Sequence, residues 1–188
     1  MNWEDFSIYA DGRLCKGCLK CELSCIVAHH EGMTLKDAIK ERKHLQPRVH
    51  VVKSGDVKMP VQCRHCEEAP CVQACPTQAM SQGERGEILL LQEYCAGCGL
   101  CVMACPFGAV SLSYDAHVHS GFTEPHKVAA NCDLCREWRA REGKEVTACM
   151  ECCPAQVFHL VRTKDLHEAL RQGISPLEMA SRSSCAKE

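Results

Sequence analysis

The sequence predicts an α+β fold built from two pseudo-symmetric modules, and three observations favour it. Eighteen of the 188 residues are cysteine, whereas only nine are aromatic (two Trp, three Tyr and four Phe). Most of the cysteines lie in four groups along the chain. Because large side chains are few, they can supply little of a core. The turns CPTQAM, CPFGAV and CPAQVF form an internal repeat, and each precedes a short segment with strand character.

Four cysteine motifs follow one another along the chain. The third, YCAGCGLCVMACPFGAV, has the spacing C-x2-C-x2-C-x3-C-P, and the first, CKGCLKCELSC, has the same spacing without the proline. The second, CRHCEEAPCVQACP, carries two extra residues before its third cysteine, and in the fourth thirteen residues separate CDLC from CMECCP. The candidate ligands are Cys15, Cys18, Cys21 and Cys25; Cys63, Cys66, Cys71 and Cys75; Cys95, Cys98, Cys101 and Cys105; and Cys132, Cys135, Cys149 and Cys153.

These thiols could form disulfides, bind zinc or bind iron–sulfur clusters. Disulfides are typical of secreted proteins, and the start MNWEDFSIYADGRLC lacks the regions of a signal peptide. Zinc sites use two C-x2-C pairs or mix Cys with His, so three cysteines in one run exceed what zinc needs. The run C-x2-C-x2-C-x3-C-P is the bacterial ferredoxin signature, in which the fourth cysteine binds the neighbouring cluster. We therefore expect sixteen thiolates to bind four [4Fe–4S] clusters.

The order of the motifs predicts how the cysteines are shared between two ferredoxin-like modules of two clusters each. The inner module spans residues 57–115, the outer module combines 1–56 with 116–165, and 166–188 form a helical tail. Each cluster is numbered here by the motif that supplies three of its ligands. Cluster 1 takes Cys15, Cys18, Cys21 and Cys153; cluster 2 takes Cys63, Cys66, Cys71 and Cys105; cluster 3 takes Cys95, Cys98, Cys101 and Cys75; cluster 4 takes Cys132, Cys135, Cys149 and Cys25.

Two cysteines lie outside these sets. The distal cysteines of the second and third motifs each precede a proline, so the repeat favours Cys153, before Pro154, over Cys152. Cys185 lies in the polar segment SRSSCAKE and is expected to be a free thiol. No histidine is expected as a ligand, because the cysteines complete every cluster and His65 lies between ligands without ligand spacing.

The segments between the motifs predict an inserted helix and hairpin and a C-terminal helix. MTLKDAIKERKHL resembles a helix start at Thr34, and RVHVVKSGDVKMPVQ alternates around a Ser-Gly-Asp turn as in a hairpin. Strands are predicted at residues 86–91 and 109–113, on either side of the third motif. TKDLHEALRQG predicts a helix from a Thr163 cap to Gly173, which either covers a cluster or partner or is a solvated tail.

Charge and hydropathy exclude some classes of function. The 22 basic and 24 acidic residues give no excess of positive charge that would indicate nucleic-acid binding. The sequence has no apolar run of about 18 residues, the length that a membrane span needs, so we expect a cytoplasmic chain. Each oxidised cluster with its thiolates adds about −2, which brings the formal charge from −2 to roughly −10 and favours low reduction potentials.

No catalytic site is expected in this chain. It has no G-x-G-x-x-G or P-loop motif and no Ser/His/Asp or paired-carboxylate arrangement. Because every cluster has a full set of protein ligands, none offers an open iron to a substrate. The sequence therefore predicts an electron conduit rather than an enzyme.

The motif order, the C-x2-C-x4-C-x3-C-P spacing of the second motif and the split fourth motif resemble a known family over about residues 10–162. This family comprises the four-cluster electron-transfer subunits of molybdopterin oxidoreductases, formate dehydrogenases and hydrogenases. Within it, CELSCIVAHH, PRVHV and MPVQCRHCEEAPCVQACPTQAM look most like the iron–sulfur subunit of carbon-monoxide dehydrogenase.

The resemblance implies a catalytic partner and an acceptor. Electrons from CO oxidation at the partner's nickel–iron–sulfur site would pass through this chain to a hydrogenase, a flavin oxidoreductase or another acceptor. Two alternatives remain: an electron-transfer subunit of a formate dehydrogenase or hydrogenase, or a stand-alone soluble polyferredoxin.

Overall fold

Short strands and helices alternate along the chain in the computed structural model, which describes residues 5–42, 44–114 and 127–178. The strands are β1 Phe6–Ala10, β2 Val49–Ser54, β3 Val57–Gln62, β4 Met80–Gln82, β5 Ile88–Leu90, β6 Ser111–Tyr114, β7 Lys127–Ala130 and β8 Phe158–Arg162. The helices are α1 Lys20–His29, α2 Leu35–Glu41, α3 Pro70–Gln73, α4 Leu100–Ala104, α5 Arg136–Glu142, α6 Ala148–Cys152 and α7 Thr163–Gln172. Within the described ranges, no helix has both the length and the apolar character needed to cross a bilayer.

The strands pair into four antiparallel two-stranded sheets: β1 with β8, β2 with β3, β4 with β5, and β6 with β7. The β1–β8 sheet joins segments from opposite ends of the chain, with Phe6 opposite Arg162 and Ala10 opposite Phe158. The N–H of Asp11 extends this pairing to the carbonyl of Val157 at 2.8 Å. The first and fourth cysteine motifs therefore lie side by side.

The predicted hairpin is confirmed, but its burial differs from the simple alternation of its sequence. Strands β2 and β3 pair around a turn in which Gly55 has φ 56°. Val49 and Gln62, paired at the base, are buried, whereas Ser54 and Val57 at the turn are exposed. The hairpin thus projects from the core, so burial falls along its length rather than from one face to the other.

Both predicted helices are present, and the second has a different start. Thr34 caps α2, because its hydroxyl accepts the N–H of Asp37. Thr163 was expected to cap α7 but is its first residue, and its hydroxyl lies 2.9 Å from that of Ser7 in β1. Leu166 and Ala169 are buried, so α7 packs against the core instead of forming a solvated tail.

The strands around the third motif are shorter than predicted. The segment 86–91 contributes only Ile88–Leu90, and the segment 109–113 contributes a strand that starts at Ser111. Residue 109 belongs to the preceding turn, because its N–H donates to the sulfur of Cys105 at 3.4 Å. Cys185 lies outside the described residues.

Cysteines make up a large share of the interior, as the composition suggested. They pack with aliphatic residues from the small sheets, and Phe158 is the aromatic member of this core. The buried cysteines of the main core are Cys21, Cys25, Cys63, Cys71, Cys95, Cys101, Cys132 and Cys149.

Candidate metal centres

The four cysteine loops have the same backbone turn. Two residues after the first cysteine of each motif, φ is positive: 66° at Gly17, 49° at His65, 65° at Gly97 and 58° at Leu134. This left-handed conformation costs a non-glycine residue about 1–2 kcal/mol, so its recurrence at a histidine and a leucine indicates a shared requirement. A turn of this kind aims successive N–H groups into a concave surface that suits an anionic sulfur cluster.

The turns after the distal cysteines favour Cys153 over Cys152 as a ligand. The three turns 75–78, 105–108 and 153–156 end in residues with φ of 58°, 64° and 48°. In each, the N–H of the last residue donates to the carbonyl of the cysteine, at 3.4, 3.3 and 3.2 Å. Cys153 therefore occupies the same position as the distal cysteines of the second and third motifs. The thiol of Cys152 instead donates to the carbonyl of Cys149 at 3.5 Å.

The cysteines predicted to bind cluster 2 come from two motifs and lie near one another. Burial, and then the charges of neighbouring thiolates that include Cys105, raises the pKa of Cys63 to about 12. Burial followed by Cys105 also raises the pKa values of Cys66 and Cys71. Cys105 belongs to the third motif, yet it lies close enough to the cysteines of the second motif to affect all three.

The cysteines predicted to bind cluster 3 include one from the second motif, as those of cluster 2 include one from the third. Burial, then the charges of Cys95 and Cys75, raises the pKa of Cys101 to about 11. Cys75 comes from the second motif and therefore lies beside cysteines of the third. Cys98 of the same loop is exposed. The inner cysteines of this set are shielded, whereas one corner faces solvent.

Cluster 4 is the most buried set, because all four of its cysteines are buried. Burial and the charge of Cys135 raise the pKa of Cys25 well above its ordinary value, and Cys149 contributes as well. Burial also raises the pKa of Cys132, with Cys135 and Cys149 as the next causes. Cys25, from the first motif, thus joins the cysteines of the fourth.

Cluster 1 is more open. Cys15, Cys18, Cys21 and Cys153 line one cavity between the first loop and the turn after α6. Cys18 is exposed, and Cys15 and Cys153 are half-buried. Burial raises the pKa of Cys21, and the charge of a cluster 4 cysteine is its next cause, so the two sets are neighbours.

The cysteine sets fit [4Fe–4S] clusters in number and chemistry. All seventeen cysteines of the described ranges are free thiols. Crowded, buried thiols cannot ionise together unless a cationic centre lies among them, and an iron–sulfur core supplies that charge. Backbone N–H groups also donate to the sulfurs and favour the thiolate form. These donors are Arg48 to Cys25 at 3.2 Å, Met80 to Cys75 at 3.4 Å, Ala109 to Cys105 at 3.4 Å and Ala129 to Cys95 at 3.3 Å.

A charged network that the sequence did not reveal lies beside cluster 4. The carboxylate of Asp133 is 2.9 Å from His29 Nε2 and 2.6 Å from Arg48 Nη1, and it accepts the N–H of Cys135 at 2.9 Å. Burial opposes ionisation of Asp133, yet the bond from His29 and the charge of Arg48 bring its pKa well below the ordinary value. His29, Asp133 and Cys135 lie close enough together to hold a metal ion, but these ion pairs already account for the carboxylate.

His65 is engaged by the backbone. Its Nδ1 accepts the N–H of Ile88 at 2.9 Å, so the proton of the neutral ring lies on Nε2. Burial lowers the pKa of His65 to about 4, which keeps the ring neutral at pH 7. His65 therefore anchors the second cysteine loop to β5.

A comparison with protein families identifies the family of this chain. A family model described as "4Fe-4S dicluster domain" matches residues 57–163. The chain belongs to this family. The matched range contains the second, third and fourth motifs.

Relatives extend the likeness to most of the chain. An "Iron-sulfur protein" of Rhodospirillum rubrum is 42% identical over 169 residues, which cover 90% of this chain and 88% of that protein. "Electron transport protein HydN" of Escherichia coli K12 is 35% identical over 86% of this chain and 90% of its own. "Hydrogenase-4 component A" of the same organism is 32% identical over 88% and 86%.

These findings agree with the expectation of an electron-transfer protein rather than an enzyme, since the family and the relatives' names describe iron–sulfur and electron transport proteins. [4Fe–4S] clusters follow from the family, whereas their number and ligands remain predictions. These three names do not mention carbon-monoxide dehydrogenase.

Proposed function

We propose that this chain binds four [4Fe–4S] clusters and relays single electrons between a catalytic subunit and a downstream acceptor. The supporting observation is that cysteines of different motifs lie beside one another: Cys105 beside those of the second motif, Cys75 beside those of the third, Cys25 beside those of the fourth, and Cys153 in one cavity with those of the first. Such clusters exchange one electron at a time, and the protein adjusts their potential through charge, hydrogen bonds to sulfur and exposure.

The exchange of ligands supports a two-module arrangement. Cys105 and Cys75 cross between the second and third motifs, and Cys25 and Cys153 cross between the first and fourth. The β1–β8 sheet closes the second pair by joining residues from both ends of the described chain. We therefore keep the boundaries 57–115 for the inner module and 1–56 with 116–165 for the outer module.

The exposure of individual cysteines supports a path for electrons through the molecule. Cys18 of cluster 1 and Cys98 of cluster 3 are exposed, so we assign these two clusters to exchange with partners. Cluster 4 is shielded and serves as an internal step. It adjoins cluster 1 through Cys21, and it adjoins cluster 3 because Ala129, which donates to Cys95, is three residues from Cys132.

The relatives favour one type of catalytic partner. The name "Hydrogenase-4 component A" supports a hydrogenase-type complex, which was an alternative from the motifs. A carbon-monoxide dehydrogenase partner rests only on the resemblance of CELSCIVAHH, PRVHV and MPVQCRHCEEAPCVQACPTQAM, and a cytoplasmic location rests on the sequence expectation.

Anaerobic purification of the tagged chain from its native cells tests this function. We expect about sixteen irons and sixteen acid-labile sulfides per chain, from four clusters of four irons each. The co-purified enzyme is then assayed with hydrogen, CO and formate, and the substrate that reduces the clusters identifies the partner. Zinc in place of iron, or intact clusters that no redox enzyme or carrier can reduce or oxidise, would exclude the proposal.

A further inference from the structure

We propose that the surface around the exposed corner of cluster 1 is the docking site for a redox partner with an acidic face. Four lysines form this surface, called here the lysine rim: Lys16, Lys20, Lys53 and Lys58. The inference rests on the proposed electron relay and names the chemistry of one of its partners.

The first and third cysteine loops provide an internal comparison. CKGCLKC at 15–21 and CAGCGLC at 95–101 share their cysteine spacing, and their second residues after the first cysteine have φ of 66° and 65°. Both loops expose their middle cysteine. The first carries two exposed lysines where the third carries Ala96 and Leu100. Because the third loop adopts the same turn without lysines, holding a cluster does not require the positive charge.

The hairpin adds two more lysines to the same place. Lys53 and Lys58 face each other across β2 and β3, and like charges at such a position are destabilising. The stem of Lys58 lies against the first loop, since a Cβ added to Gly17 would come within 2.7 Å of Lys58 Cδ. Lys58 is thus held beside the loop that carries the exposed cysteine of cluster 1, with Lys53 opposite it on the hairpin, although the two charges repel each other.

The acids near the rim are largely occupied elsewhere. Glu22 accepts the N–H of Val51 at 2.7 Å, and Asp11 forms an ion pair with Arg13 at 2.8 Å. Asp56, at the tip of the hairpin, is the acid nearest in sequence to Lys58. Within the described ranges, none of the four rim lysines takes part in an ion pair.

An acidic partner face would relieve this repulsion and bring its redox centre to the exposed corner of cluster 1. The chain as a whole has a formal charge of −2, so the rim is a local positive region on an acidic protein. Such a region orients an oppositely charged partner during encounter and raises its association rate.

Stopped-flow electron transfer tests the rim. The anaerobic, cluster-loaded protein is reduced, freed of excess reductant and mixed with an acidic flavodoxin as the probe. One electron leaves a reduced cluster, and the flavin takes up that electron with one proton from water. We expect the bimolecular rate constant to fall as ionic strength rises, because salt screens the attraction.

Lys16→Glu combined with Lys20→Glu should lower the rate constant at low salt by at least about tenfold and remove its fall with salt. With the basic carrier cytochrome c, whose haem iron takes one electron, the same variant should be faster than wild type. Lys16→Arg combined with Lys20→Arg should behave as wild type, since the charge is kept.

The matched control changes Lys36 and Lys40, two exposed lysines of α2, to Glu. Every variant is compared at equal iron content, which separates docking from cluster loss. Equal slowing by the α2 control, or a wild-type rate constant that does not depend on salt, overturns the lysine rim and leaves the electron relay intact. Reduced clusters that pass electrons to neither carrier contradict the relay itself.

Discussion

The ion pair between Arg48 and Asp133 should set how long cluster 4 survives under stress, and Asp133→Asn is the perturbation that tests this. The pair joins the start of the hairpin to the fourth cysteine loop at 2.6 Å. Removing the carboxylate charge leaves the guanidinium without its counter-charge and weakens the bond to His29. The N–H of Cys135 can still donate to the asparagine oxygen, but the amide NH2 group then faces Arg48, so the substitution removes both the charge and the acceptor for the guanidinium.

The magnitude follows from the exposure of the two side chains. Breaking a fully buried ion pair by removing one partner costs about 3–5 kcal/mol. Here the side chain of Arg48 is 21% exposed and that of Asp133 is 33% exposed, so water compensates part of the loss. We expect a cost of about 2–3 kcal/mol, which corresponds to a rate of cluster loss about 30- to 150-fold faster if the pair breaks before the transition state.

The rate of cluster loss in guanidinium chloride, followed anaerobically by the iron–sulfur absorbance, is the appropriate assay because loss of the cofactor is irreversible. Arg171→Met is the control, since its ion pair with Glu67 is 2.7 Å long but the side chains are 58% and 65% exposed. That control should stay within about threefold of wild type, as expected for an exposed pair. Asp133→Asn clusters that decay no faster than those of the control would refute the reasoning.

Two further predictions concern the turns after the distal cysteines. Cys153→Ala should lower the iron content by about four atoms per chain, the content of one cluster. Cys152→Ala should leave the iron content unchanged, because the Cys152 thiol already donates to a helix carbonyl. Equal losses of iron from the two variants would contradict this. Gly108→Gln should cost about 1–2 kcal/mol or less, since Gln78 adopts φ 58° at the same turn position and a Cβ at Gly108 meets no atom within 4 Å. More than about a 30-fold increase in the rate of cluster loss would exceed that cost.

Local signals were sufficient for several elements of the fold. The Ser-Gly-Asp turn between alternating segments predicted the hairpin, and the threonine followed three residues later by aspartate predicted the start of α2. Gly173 ended α7 as expected, with φ 67°. The pairing of β1 with β8 was not assigned to residues, because those strands are about 150 residues apart and each is short. Thr163 was misread for the same reason, since its hydroxyl partner Ser7 lies at the other end of the chain.

The candidate site was predictable where covalent spacing determines it. Within a loop, the distances between cysteines limit which thiols can reach one cluster, so the sequence alone predicts a grouping of three of every four ligands, which stays a prediction. The charged network beside cluster 4 could not be predicted, since Arg48 and Asp133 meet only through folding. A weak signal existed: the residue after the first cysteine is Lys16, Arg64, Ala96 or Asp133, and an acid between thiolates requires a counter-charge.

The buried thiols of the interior favour the neutral form, whereas a [4Fe–4S] cluster binds thiolates. Burial raises the pKa values of Cys25 and Cys132 well above the ordinary thiol value, so each remains protonated at neutral pH unless a cation lies beside it. Ligation by the cluster requires thiolates, and binding therefore releases protons and depends on pH. The apolar surroundings keep these thiols neutral. The N–H groups that donate to sulfur, and the Arg48–Asp133 pair beside them, are already in place around the thiols. Because assembly of the proposed clusters requires these buried thiols to ionise, we expect cluster binding and folding of this chain to be coupled, with cysteines that serve both as core residues and as ligands.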